Sequence, residues 1–477
     1  MLALLIVVLV YAIQFAVIAR VLLRPGMLPT VRLSWVMVVA VVPIAGLFLY
    51  LLFGEVRLAR GKVRRITEVL DSLAAAQRQT PAELSVPGPG ARVPFATGTA
   101  TSGFLPVTGN TARMLPEGDA EIDDLIEGID AAAEHVHLLF YIWLPDTAGT
   151  QVAEAAIRAA GRGVAVRVLV DDLGSRALVR SALWERMRGA GVTAVRAAPL
   201  HYPLVSFVVQ RLDVRNHRKV AVVDGVVAWC GSRNCADTAF LPKAKFGPWI
   251  DILLRLHGPV VRQMQVVFLK DWLIYRPEDA ALIRLLDQRE PPREGGFTAQ
   301  VIVTGPDQSR MSLVDTIAAL LYGAKHQAIV TTPYFVPDRP TLSALCAVAR
   351  RGVEVTLILP ARNDNWVVGA AAESHYDELL RAGVRLRAFG PGLLHSKIIT
   401  VDGRLALIGS TNIDRRSFDL NYENAILIDS EEVTGVLDAR QTDYMRRSVE
   451  VTLDEVMAWS RVRRIRNNSV ALAEPLL

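Results

Sequence analysis

The chain has 477 residues, of which 51% are hydrophobic and 21% charged, with a formal net charge of +5. That length implies two or more domains around a large core, and the composition excludes a disordered chain. The mild basic excess suits an anionic membrane surface or a phosphate-bearing substrate. Cys230, Cys235 and Cys346 form no CxxC pair and no even framework, which excludes a disulfide scaffold and favours a reduced, cytosol-facing body.

The N-terminal end is apolar twice over. Met1 to Ala19 is interrupted only by Gln14, and Ser34 to Phe53 carries no charge. Each run approaches the ~20 residues that cross a bilayer. Trp35 and Tyr50 lie near the ends of the second run, where amphipathic rings favour the interface. Pro43 and Gly46 inside it are tolerated in membrane helices. A cleavable signal peptide fits poorly, because a basic leader and a small-x-small cleavage site are missing and a second run follows at once. The sequence predicts a transmembrane helical hairpin in residues 1–60, with helices over 1–19 and 34–53. Arg20, Arg24 and Arg32 fall in its loop, and Arg57, Arg60, Lys62, Arg64 and Arg65 follow it. The heavier basic flank stays inside, which places the N-terminus and the rest of the chain in the cytoplasm as a multi-pass membrane protein.

Residues 61–110 read as a polar helix (Lys62 to Arg78) and a flexible linker rich in Pro, Gly, Thr and Ser (Val86 to Asn110). Two halves of similar order follow, at 111–295 and 296–477. The first has a helix at Asp119 to Ala133, a strand at His135 to Trp143, Pro145-Asp146, a helix ending at Arg162-Gly163 and a strand at Val164 to Val170. The second repeats this with Met311 to Ala324, Gln327 to Tyr334, Pro337-Asp338, Arg351-Gly352 and Val353 to Leu359. Alternating strands and helices predict an α/β fold with a parallel or mixed sheet in each half, and two copies suit a pseudo-dimer rather than a solenoid. The first half is longer between Gly191 and His217. Its apolar run Leu204 to Val209 reads either as a buried strand or as an apolar lip touching lipid.

One polar pattern occurs twice. His217-Arg-Lys219 leads to Asp224 and, six residues on, to Gly231-Ser232-Arg-Asn234; His395-Ser-Lys397 leads identically to Asp402 and Gly409-Ser410-Thr-Asn412. Two matching half-sites imply one composite active site. Each Asp-Gly marks a hairpin turn between β-branched strands, and His and Lys two apart project from one face. A hairpin centred on Asp-Gly sets Ser232 opposite His217 and Ser410 opposite His395. An imidazole, an ammonium, a hydroxyl and a carboxamide form a donor-rich cluster suited to phosphodiester oxygens. Asp224 and Asp402 lie roughly 20 Å along the strand from their histidines, so structural work is expected of them: turn formation and a charge pair elsewhere. Asp251 and Glu423, on the next apolar strands, are candidates to accept the Nδ1 proton of their own half's histidine. His135 and His137 share a strand face and read as core or interface residues rather than metal ligands. No zinc-ligand spacing appears, and no metal or cofactor is expected.

The HxKxxxxDxxxxxxGSxN pattern resembles the signature of the phospholipase D superfamily, matched at every signature position in both copies. The double apolar run, Phe53-Gly54, Asp213-Val-Arg-Asn-His217-Arg-Lys219, Gly247-Pro-Trp249-Ile-Asp251 and Asn412-Ile-Asp414-Arg-Arg-Ser417-Phe418 are similar to bacterial cardiolipin synthases. The resemblance implies two duplicated α/β/α halves with the site at their pseudo-twofold interface. It implies ping-pong chemistry without metal, in which a histidine attacks phosphorus and the other serves as acid and base. The first motif usually supplies the nucleophile in that superfamily, so His217 is assigned to attack and His395 to proton transfer; the residues themselves leave this open. Lys219, Lys397, Asn234 and Asn412, with Ser232 and Ser410, would hold the phosphate oxygens, and Asp224 and Asp402 complete the catalytic signature. The implied partners are phosphatidylglycerol and the bilayer, with no nucleic acid. The implied reaction joins two phosphatidylglycerols and releases glycerol; a hydrolytic phospholipase D or a phosphatidylserine synthase would use the same residues.

Overall fold

The computed structural model describes residues 1–25, 27, 29–55, 60–76, 83–199, 214–287, 293–306 and 311–472. They fall into a small unit, Met1–Val63, and a large one built from Arg64–Pro199 and the chain from Arg215 onward.

In the small unit α1 (Leu2–Leu23) is a continuous helix long and apolar enough to cross a membrane. The expected second span is not one helix. α2 (Pro29–Val41) stops before Val42, whose φ of −124° and ψ of 75° leave the helical region. α3 (Pro43–Leu49) then begins at Pro43 and ends in a π-helical turn, Tyr50–Gly54. Proline excludes its predecessor from the helical well but is pre-organised for the first turn of a new helix, so it breaks one helix and starts the next. The break is a reversal, because the rings of Trp35 and Tyr50 pack edge to face at 5.3 Å. In a straight helix they would stand ~22 Å apart.

The large unit begins within α4 (Arg60–Ala76), whose Val69 and Leu73 enter the core. The expected linker is ordered instead: α5 (Arg92–Ser102) ends at Gly103 in the left-handed region, and a strand starts at Val107. Its composition misleads for two reasons. Gly98 lies where a Cβ would collide with Ile302 and Gln300, and Thr97, Thr99 and Thr101 return their hydroxyls to carbonyls one turn back. Phe95 anchors this helix in the core of the second half.

The first half supplies β1 (Val107–Met114), β2 (His135–Phe140), β3 (Ala165–Asp171), β4 (Thr193–Ala197), β5 (Val220–Val223), β6 (Val227–Gly231), β7 (Trp249–Ile250) and β8 (Leu253–His257). The second supplies β9 (Phe297–Thr304), β10 (Gln327–Thr331), β11 (Phe335–Val336), β12 (Glu354–Pro360), β13 (Arg385–Phe389), β14 (Leu393–Leu394), β15 (Ile398–Val401), β16 (Leu405–Gly409), β17 (Ile413–Asp414), β18 (Glu423–Asp429) and β19 (Ser448–Val451). Fifteen of these form one sheet, β19-β13-β12-β10-β15-β16-β18-β9-β1-β8-β6-β5-β2-β3-β4. Outward from the central β9–β1 pair each half repeats the same order, and β19 extends one edge. β2, β3 and β4 are parallel, as are β10, β12 and β13, while the hairpins are antiparallel. The fold is therefore the expected duplicated α/β architecture with a mixed sheet. Helices start where Pro-Asp predicts: Asp146 accepts from Gly149 N and Asp338 from Thr341 N.

One core cluster runs under both hairpins, joining Val220 and Ala228 to Ile398 and Ile408. His137 belongs to this interior, stacked on Phe268 at 4.4 Å and bonded to Gln265 and Arg167. Burial pushes the pKa of His135 and His137 down, as for core histidines. The apolar run Leu204 to Val209 lies outside the described residues.

Candidate active site

The histidines sit just ahead of β5 and β15, where each segment leaves its own half. His217 N donates to Tyr422 O at 3.0 Å, and Tyr422 N to Arg215 O at 2.9 Å. Symmetrically, His395 N donates to Ile250 O at 2.8 Å, and β14 pairs in parallel with β7. Each histidine is thus stitched beside the residue that precedes the opposite half's carboxylate. His217 Nδ1 meets Glu423 at 2.9 Å, and His395 Nδ1 meets Asp251 at 2.6 Å. The expectation that each carboxylate serves its own half's histidine is corrected: the partners are exchanged. The reason lies in the topology. Asp251 and Glu423 introduce β8 and β18, each next to the central β9–β1 pair, and each faces the other half's histidine.

The serines also differ from expectation. The hairpin loops hold three residues, with Val223 paired to Val227 and Val401 to Leu405, so the register slips by one. Continued outward, it sets Ser232 opposite Arg218 and Ser410 opposite Ser396. Ser232 Oγ donates to Asp251 at 2.6 Å and accepts from Ile252 N; Ser410 Oγ donates to Glu423 at 2.5 Å and accepts from Asn424 N. The hydroxyls fix the carboxylates that fix the imidazoles.

Asp224 and Asp402 stand in the loops with φ of 52° each. Asp224 accepts from the amides of Ala133, Glu134 and His135 at 2.7–2.8 Å, and Asp402 from those of Lys325, His326 and Gln327 at 2.8–2.9 Å. The expected turn role is present. Where a charge pair was expected, three peptide N–H groups take its place.

Lys219 Nζ donates to His217 O at 2.7 Å, and Lys397 Nζ to His395 O at 2.6 Å, so each lysine curls beside its own imidazole. Asn234 Oδ1 accepts from Ile142 N at 3.3 Å, whereas the buried Asn412 Oδ1 has no partner among the described residues.

Burial dominates the electrostatics. It pushes both imidazoles down to about 4, with the adjacent lysines adding to the effect. Burial likewise lowers Lys219 to about 8 and Lys397 to about 7. Desolvation would raise Asp251 and Glu423, but His395 and Arg233 outweigh it at Asp251, and His217 and Lys219 at Glu423; both stay below the usual carboxylate range. Each imidazole at neutral pH is therefore uncharged, donates an Nδ1–H hydrogen bond to a carboxylate and keeps an Nε2 lone pair.

Sequence reasoning missed several neighbours. Tyr141 lies 4.8 Å from the His217 ring, with Lys219 Nζ 5.6 Å from its own ring centroid. Trp249 lies 4.5 Å from the His395 ring and packs on Phe240. Arg218 is fully buried and bonds Asp271 at 2.5 Å and the carbonyls of Glu423 and Thr304. Its signal was a charged residue between His217 and Lys219, facing inward.

A family model described as cardiolipin synthase, PLD-like domain, matches residues 125–272 and 317–442, the two segments that carry the repeated pattern. A cardiolipin synthase A of Serratia proteamaculans is 35% identical over 444 residues, covering 90% of this chain and 89% of the relative. That of Edwardsiella ictaluri is 34% identical and covers 91% and 90%.

The chain belongs to the phospholipase D-like cardiolipin synthase family.

It is also similar in fold to a phosphatidylserine synthase of Haemophilus influenzae, at a TM-score of 0.58 and 16% identity, covering 78% of this chain and 97% of that one. The duplicated matching segments of the family coincide with the two hairpins that hold His217 and His395.

Proposed function

We propose that this enzyme is a membrane-attached cardiolipin synthase that transfers a phosphatidyl group from one phosphatidylglycerol to another through a phosphatidyl-histidine. The reading is carried by one observation: two buried imidazoles, each hydrogen-bonded at Nδ1 to a carboxylate of the opposite half. An entering phosphodiester brings negative charge against both lysines and both imidazoles, which favours protonation of one histidine as the lipid binds. His217 Nε2 then attacks phosphorus and the bond to the leaving glycerol oxygen breaks, while His395 gives that oxygen its proton. In the second step His395 takes the proton from a hydroxyl of the second phosphatidylglycerol. That oxygen attacks phosphorus, the P–N bond breaks, and His217 is restored. Lys219, Lys397 and Asn234 would steady the phosphoryl oxygens, and Asn412, whose Oδ1 has no partner among the described residues, is a polar group available to a ligand. Asp251 and Glu423 act by positioning.

In this reading residues 1–60 attach the enzyme, 61–110 lead into the body, and 111–295 and 296–477 each contribute one His–Lys pair and the other half's carboxylate. The basic residues after Phe53 and the buried free cysteines support a cytoplasmic body. Transfer rather than hydrolysis requires a pre-oriented lipid alcohol with water kept out, which a protein held at the bilayer can arrange. Purified enzyme given phosphatidylglycerol alone should yield cardiolipin and glycerol without added metal or nucleotide, and added glycerol should reverse the reaction. Phosphatidic acid as the main product, or a need for CDP-diacylglycerol, would overturn the assignment.

A further inference from the structure

The small unit answers a question that hydropathy leaves open. Its outer face is apolar: Leu4, Leu5, Val8 and Phe15 of α1 are exposed, as are Ile44 and Phe48 of α3. Such a continuous surface fits lipid acyl chains. α1 offers a 20-residue apolar stretch, Leu4–Leu23, which is ~30 Å of helix and matches the bilayer core. α2 has 13 residues and extends ~20 Å, too short to cross.

Contacts fix the path. α2 runs back along α1, with Gln14 Nε2 donating to Val39 O at 2.7 Å and to Ala40 O at 3.1 Å. After the reversal at Val42–Pro43, α3 returns along α2, bringing Tyr50 to Trp35. Gly46 passes the Val38 carbonyl where a Cβ would sit 2.4 Å away. The chain then arrives where α1 ended. Arg20 holds both oxygens of Glu55 at 2.6 and 2.8 Å, Arg24 Nη1 donates to Gly54 O at 2.8 Å, and Arg32 donates to Arg24 O at 2.8 Å.

Gln14 gives an independent reason to place the reversal in hydrocarbon. Pro43 has no N–H for the carbonyl one turn before it, that of Val39, and an unpaired carbonyl at membrane depth is costly. Gln14, the single break in the first apolar run, supplies that bond.

We propose that α1 crosses the bilayer once and that residues 29–55 form a re-entrant hairpin that enters and leaves on one side, packed in lipid. This rests on the reading of the enzyme as membrane-attached. It places Arg20, Arg24 and Arg32 on the same side as the basic start of α4, so the basic flanks no longer oppose each other. The N-terminal end of α1 then lies across the membrane from the body, which reverses the expectation of a shared compartment.

The test uses the full chain in cells, with either a cysteine-bearing peptide ahead of Met1 or Gly90→Cys, each shown to retain activity. The native cysteines are buried. An impermeant maleimide should label the N-terminal cysteine in intact cells and Cys at position 90 only after permeabilisation. Labelling of both only after permeabilisation, or of both in intact cells, would overturn the re-entrant path in favour of two crossings. Labelling of position 90 alone in intact cells would keep the single crossing and overturn the cytoplasmic body. Release of the protein by alkaline carbonate would instead overturn membrane attachment itself.

Discussion

The two halves share strand order, hairpin register and signature, yet the shell behind the signature differs. In the first half Arg218, between His and Lys, bonds Asp271; the corresponding Ser396 bonds the Tyr444 hydroxyl at 3.0 Å. Arg233, between Ser232 and Asn234, lies 3.5 Å from Glu121, and both are buried. Their counterparts by hairpin and helix register are Thr411 and Leu313. The first half is thus braced by buried charge where the second uses neutral groups. Arg233 helps hold Asp251 anionic, and its counterpart Thr411 brings no cation toward Glu423. Since Asp251 orients His395 and Glu423 orients His217, the two imidazoles face unequal partners. Duplication supplied the pair, and divergence lies in the groups behind it, while burial pushes both imidazoles down alike.

The sharpest way to break this comparison is to remove each histidine. His217→Ala and His395→Ala should each lower kcat by at least ~10³-fold without loss of fold, because both are polar groups ahead of strands rather than core fillers. Acid quench of His395→Ala with labelled lipid should trap a phosphohistidine and that of His217→Ala should not. The opposite pattern would reverse the duties of the halves.

The exchange of carboxylates is tested next. Glu423→Gln should cost ~10²-fold in kcat and shift the NMR titration of His217 while leaving that of His395 in place. Asp251→Asn should do the converse. A shift in each variant's own-half histidine would contradict the crossed geometry. The pH dependence has a definite sign. With folded pKa values pushed down to about 4 against about 6.5 for a free imidazole, each histidine binds more protons unfolded between those limits, so its contribution to stability fades as pH falls through that window. The stability advantage of the parent over His395→Gln should therefore shrink from pH 6.5 toward 4, as followed by denaturant melts.

Asp224→Asn and Asp402→Asn probe where the halves agree. Each should lose ~1–3 kcal/mol of stability, with activity per folded molecule largely kept. Activity loss at unchanged thermal stability would restore them to the chemistry. The smallest effect is expected when the first half is given the second half's residues. Burial pushes the Glu121 carboxyl up to about 8, so it is a weak counter-charge to Arg233. Glu121→Leu alone should cost no more than ~1 kcal/mol, and Glu121→Leu with Arg233→Thr should be nearly neutral by thermal melt.

Much of this was legible in the sequence because the determinants are local. The duplicated signature, the hairpin strands and the Pro-Asp helix starts all depend on neighbours within a few residues. What escaped depends on contacts distant in sequence. Spacing places Asp251 and Glu423 near imidazoles, but does not show that the β7–β14 pairing carries His395, and the Asn216–Tyr422 bridge His217, to the opposite half. A hairpin loop of three residues instead of two was enough to reassign both serines. Residues 86–110 have linker composition, yet Phe95 and Gly98 give that helix a place to pack. Hydropathy registered Ser34 to Phe53 as one run because it does not weigh the direction change at Pro43.

The crossed carboxylates have a consequence for genetics. A lesion at Asp251 maps to the first half but disables the second half's histidine, and Glu423 does the reverse. Alleles sorted by chain segment would therefore appear scrambled, while alleles sorted by catalytic step would form two clean groups. An isolated half would carry a histidine with no acid to orient it, so neither copy is free to decay while the other keeps the reaction alive.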